Sequence, residues 1–86
     1  MSWEEVSYVI GSKTRKAVLT QLEKEKTPTI LAKDLHTSLP NISRALRELQ
    51  AKGLIESLTP GSRVGKIFVT TEKGKIVLKR VRVMTG

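Results

Sequence analysis

The residues best equipped for recognition chemistry stand in the stretch "SLPNISRALRELQAKGLI", residues 38–55. A guanidinium can make paired hydrogen bonds to guanine O6 and N7, and a carboxamide can do the same to adenine. Arg44 and Arg47 are three residues apart, so on a helix they project from neighbouring positions. If Ile42, Ala45, Leu46 and Leu49 form a buried stripe, the opposite face follows from about 100° of rotation per residue. It is centred on Pro40, Arg44, Arg47 and Ala51, with Ser43 on one flank and Asn41 and Glu48 on the other. The small Ser43 and Ala51 would let the backbone approach a groove wall. The plain alternative is a solvated face, with the arginines paired to Glu48.

Such a face needs a helix to carry it and neighbours to aim it. Pro40 suits the start of a helix, where a missing N–H does no harm. Gly53 supplies a left-handed residue after the last turn, and Leu54 can fold back onto Leu49. Lys52 lies favourably against the negative end of the helix dipole. Upstream, Ser2 and Glu5 look like a capping box for a short helix, "SWEEVSYVI", that ends at Gly11. Ser12 caps "KTRKAVLTQLEKE", whose stripe is Val18, Leu19 and Leu22. After a break at Thr27 and Pro28, Thr29 caps "ILAKDL", and "HTSL" is a turn. Downstream, "LIESLT" and "KIFVT" read as strands around the turn cluster "PGSRVG", a hairpin with a loop of about six residues. Thr71 and Glu72 open a last helix through "EKGKIVLKRVRVM".

Charge points the same way. Sixteen Lys and Arg stand against eight Asp and Glu, a net of +8 over 86 residues. Residues 1–36 carry six basic and five acidic side chains, and residues 37–86 ten and three, so the excess begins with the quoted helix. A field of that sign attracts a polyanion and speeds encounter with it. The length fits one small domain, whose modest core makes self-association plausible. With three aromatics, Trp3, Tyr8 and Phe68, the interior must be mostly aliphatic.

The same residues argue against other classes. The chain has no cysteine, which removes disulfides and thiolate chemistry. His36 is the only histidine and lacks partners for a metal site or a catalytic relay. "GSRVGK" superficially looks like a phosphate-binding loop. Its spacing is one residue short, and Ile67 stands where a magnesium-binding hydroxyl belongs. No enzyme activity, cofactor or metal is therefore expected. No segment approaches the roughly 18–20 apolar residues of a membrane span, and the acidic N-terminus is unlike a signal peptide. The expected location is the cytoplasm.

"LAKDLHTSLPNISRALRELQAKGLI" resembles the helix-turn-helix of winged-helix transcription regulators, the MarR- and ArsR-like prokaryotic group. "ESLTPGSRVGKIFVTTEKGK" is similar to their β-wing and the start of the following helix, so residues 31–76 are well covered. Ala32 falls where the family packs a small residue. The family usually has glycine where His36 stands and an apolar residue where Thr37 stands, with Leu39 close by as a substitute. The resemblance implies an α+β winged helix-turn-helix filling residues 1–86: helix-turn-helix about 29–52, wing about 55–70, C-terminal helix about 71–83. It implies a DNA-binding transcription regulator whose quoted helix enters the major groove of double-stranded DNA. Asn41, Ser43, Arg44 and Arg47 would meet base edges, and Thr37 and Ser38 phosphate. Arg63 at the wing tip would reach the minor groove or a phosphate, and Lys66 the backbone. A homodimer is expected through the terminal segments, from Trp3, Val6, Val9 and Ile10 at one end and Val77, Val81 and Met84 at the other; the alternative is that both sets pack on the core of their own domain. The alternative reading is a winged-helix adaptor that binds RNA or another protein.

Overall fold

Side-chain hydroxyls start three of the helices. Residues 3–61 and 66–85 are described, in a computed structural model. Helix α1 (Trp3–Ile10) is followed by α2 (Lys13–Gln21), α3 (Pro28–Asp34) and α4 (Leu39–Ala51). Strands β1 (Ile55–Ser57) and β2 (Phe68–Thr70) and helix α5 (Glu72–Thr85) complete the order. Ser12, Thr27 and Ser38 are extended N-caps whose side-chain oxygens accept from the amides of Arg15, Ile30 and Asn41. Ser2, the expected cap of α1, lies outside the described residues. Thr27, not Thr29, caps α3, because Pro28 enters the helix at its start instead of breaking it. Pro40 is likewise the second residue of α4, after Leu39.

The two helices of the turn end alike. After α4, Gly53 has φ +73°, its N–H donates to Gln50 O at 3.0 Å, and Leu54 N–H donates to Leu49 O at 3.0 Å. After α3, His36 has φ +52°, its N–H donates to Lys33 O at 3.3 Å, and Thr37 N–H donates to Ala32 O at 3.0 Å. Each is the paired closure that satisfies a helix's last carbonyls. His36 thus does fill the position that usually falls to glycine. Leu39 does not plug the turn: it is 47% exposed, and Leu35 and Ala32 pack on the core instead.

β1 and β2 pair antiparallel, Ile55 with Thr70 and Ser57 with Phe68. Leu58 N–H donates to Ile67 O at 2.8 Å, carrying the pairing one step towards the tip. The other edge of β2 is occupied as well. Lys26 and Phe68 exchange backbone hydrogen bonds of 3.1 and 2.9 Å, and Thr70 N–H donates to Leu22 O at 2.8 Å. The expected extension of α2 to Glu25 fails for this reason: β2 takes the carbonyl of Leu22, and Thr70 Oγ1 takes that of Leu19 at 3.0 Å.

One continuous core joins the elements. Val18, Leu19 and Leu22 of α2 meet Leu31 of α3, Ile42, Ala45, Leu46 and Leu49 of α4, and Leu54, Ile55 and Phe68 of the wing base. Val6 and Val9 of α1 and Val77, Leu78 and Val81 of α5 belong to the same core. The expected roles of Val6, Val9, Val77 and Val81 in a dimer contact are thereby corrected: all four are 1% exposed or less, so their surface is spent within one chain. The terminal helices do keep apolar residues outside, namely Trp3, Ile10, Ile76, Val83 and Met84. Among the described residues no helix is long and apolar enough to cross a membrane.

Candidate nucleic-acid interface

The expected stripe of α4 is the buried one: Ile42, Ala45, Leu46 and Leu49 face the core. Asn41, Ser43, Arg44 and Arg47 are consequently exposed. Ser38 ahead of them is exposed too, and Thr37 half-buried. The first turn of α4 carries no acid, so the positive end of its dipole opens outward without local neutralisation.

Polar contacts organise the start of this helix. Asn41 N–H donates to Ser38 Oγ at 3.4 Å, and Asn41 Nδ2 donates to Thr37 Oγ1 at 3.2 Å. Both hydroxyls serve there as acceptors, which leaves each O–H available to an incoming anion. Asn41 keeps its carbonyl oxygen and one amide proton for another partner.

The two arginines stand apart, although they are neighbours in the helix. Arg44 borders a polar cleft with Asn41 and Glu48 of its own helix, Thr14 and Arg15 of α2, and Ser12, the cap of α2. Arg47 borders a second depression with Ser43, Gln50 and Lys66, on the side of the wing. Among the described residues no carboxylate lies within ion-pair distance of Arg44, Arg47 or Lys66. Five of the eight acids are engaged elsewhere: Glu48 with Arg15 at 3.5 Å, Asp34 with Lys26 at 3.5 Å, Glu5 with Lys73 at 2.8 Å, Glu72 with Lys75 at 3.4 Å, and Glu23 with Arg82. Pairing of the α4 arginines with Glu48, the plain alternative, is thus not what the structure holds. Lys66 is exposed two residues before the start of β2. Arg63 lies outside the described residues.

Two residues escaped sequence reading. Gln50 is exposed three positions after Arg47, in the same depression, and its carboxamide has the donor–acceptor pair that suits adenine. The i, i+3 spacing from Arg47 was the available signal. Arg15 gave none, because its partners lie 7 and 33 residues away.

No protein-family model and no curated protein sequence matches the chain. Solved structures do. The fold is similar to that of a mutant of MarR from E. coli complexed with operator DNA, with a TM-score of 0.78 and 26% identity. That match covers 96% of this chain and 61% of the other. It is also similar to Lactococcus lactis ZitR, a zinc-responsive MarR family member, with a TM-score of 0.72 and 26% identity over 84% of this chain and 51% of the other. The chain therefore spans about half to three fifths of the length of these relatives. TubR from Bacillus thuringiensis, bound to 24 bp of tubC, matches in fold alone, with a TM-score of 0.80 at 15% identity over 95% of this chain and 92% of the other.

Proposed function

We propose that this chain, a MarR-like winged helix-turn-helix by its fold, is a transcription regulator that binds double-stranded DNA in a sequence-specific way. The observation that carries the reading is the state of Arg44 and Arg47. Both are exposed on a well-capped helix, and among the described residues no acid pairs with either. The operator DNA bound to MarR and the tubC DNA bound to TubR support duplex DNA as the partner class.

In this reading α4 lies in the major groove. Asn41, Ser43, Arg44 and Arg47 meet base edges, and Gln50 extends that row towards the wing. The hydroxyls of Thr37 and Ser38 donate to phosphate at the start of α4, where the helix dipole favours an anion. Lys66 holds the DNA backbone and Arg63 reaches the minor groove or an adjacent phosphate. Two copies pair through α1 and α5, which leave Trp3, Ile10, Ile76, Val83 and Met84 uncovered. Their recognition helices would then meet half-sites about 34 Å apart.

The test is selection of preferred sites from random duplexes, followed by titration at stated salt. A defined motif with two-fold symmetry is expected. Arg44→Ala or Arg47→Ala should each weaken binding to it by about 1–3 kcal/mol and relax preference at one base position. Both variants binding the selected site as tightly as the parent would remove α4 from the groove. Preference for single-stranded RNA over duplex DNA would favour the adaptor reading instead.

A further inference from the structure

We infer that Arg15 is a positioning residue for recognition: it holds Glu48 away from Arg44 and so keeps Arg44 free for a nucleobase. The inference rests on the DNA-binding reading for its consequence, though not for its geometry.

Arg44 and Glu48 are i and i+4 on α4, the spacing at which opposite charges on one helix meet. Left to themselves they would pair, and Arg44 would be partly neutralised. Glu48 is also four residues before Lys52, a second natural partner. Neither cation holds it. Glu48 Oε1 lies 3.5 Å from an Arg15 guanidinium nitrogen, across the cleft from another helix.

Arg15 is fixed before it meets Glu48. Its Nε donates to the carbonyl of Tyr8 at 2.8 Å, and its guanidinium lies 3.9 Å from the centre of the Tyr8 ring. Its side chain is 18% exposed, against 35% for Glu48. Glu48 thus turns towards a cation already oriented by α1, at less entropic cost than pairing with a freely moving Arg44. Lys52 is drawn off to the same ring, with Nζ 5.1 Å from its centre. One tyrosine in α1 therefore contacts both Arg15, which holds Glu48, and Lys52, which does not.

The test compares the parent with Arg15→Gln, Glu48→Gln and the double variant. Without DNA, 15N relaxation at the Arg44 Nε–H reads the side chain's freedom. It should be mobile in the parent, restrained in Arg15→Gln and mobile again in Arg15→Gln/Glu48→Gln. On a selected duplex, Arg15→Gln should weaken binding about threefold to tenfold, a loss between that of an exposed pair and that of a whole base contact. The second substitution should restore affinity to within about twofold of the parent; because it also restores the net charge, the Arg44 mobility is the readout that separates this role from a purely structural ion pair. Equal Arg44 mobility in the parent and Arg15→Gln, or no rescue by Glu48→Gln, overturns the inference. Should Arg15→Gln fail to fold, Glu48→Gln alone decides: Arg44 mobility should stay as in the parent, and a rise would show that Glu48 already restrains it. A parent without duplex affinity overturns the function proposed above, and the mobility comparison still decides the role of Arg15.

Discussion

Gly74 inverts an ordinary expectation. Inside a helix, glycine to alanine normally adds about 1 kcal/mol of stability. Here a Cβ would stand 2.1 Å from Leu54 O and 2.5 Å from Thr70 Cγ2, so α5 could not lie against the wing base as it does. Gly74→Ala should instead cost roughly 1–3 kcal/mol or more, lowering Tm by about 10 °C in a thermal melt monitored by circular dichroism. His36 carries strain of the opposite kind. Its φ of +52° is uncomfortable for any residue with a Cβ, so His36→Gly should raise the urea midpoint, for a gain of up to about 1 kcal/mol after the added flexibility of the unfolded chain. The need for a left-handed residue at His36 was readable only through the resemblance, which has glycine at that position. The crowding at Gly74 was not, because the atom it meets belongs to Leu54, twenty positions earlier. Arg15 and Gln50 divide in the same way. Gln50 sits in a periodic pattern with Arg47, whereas Arg15 acquires its partners only when α1, α2 and α4 assemble.

Among the elements, the faces of the helices were far more legible than their ends. The stripe of α4 repeats at helical period, and all four of its apolar members are buried. Where α2 stops is a tertiary matter: "LEKE" has good helix formers, yet β2 claims the carbonyls of Leu19 and Leu22. The Lys26–Phe68 bridge left no trace in the sequence, since a single paired residue has no period. These contacts make Thr70 a hinge pin between α2 and the wing. Thr70→Val keeps the shape but removes the donor that satisfies Leu19 O inside the core. It should cost about 1–3 kcal/mol in urea denaturation. A loss near zero would mean that water or a relaxed helix end replaces that donor.

At the scale of the whole molecule, the net charge of +8 predicts binding that weakens steeply with salt. Each lost phosphate contact should flatten the dependence, so Lys66→Ala should reduce the slope of log K against log salt by about 1 while sparing sequence preference. The reverse pattern, lost preference at unchanged slope, would move Lys66 from backbone to bases. The terminal helices raise a different matter. Trp3 and Ile10 are seven residues apart in α1, and Ile76 and Val83 are seven apart in α5, so each pair lies on one outward face of its helix. Trp3 is the chain's single tryptophan and is 61% exposed. The molecule therefore carries its own fluorophore at the surface where copies would meet. Diluted to isolated chains, its indole should emit at the long wavelengths of a hydrated ring. If copies join through α1 and α5, rising concentration should shift that emission to the blue without any attached label.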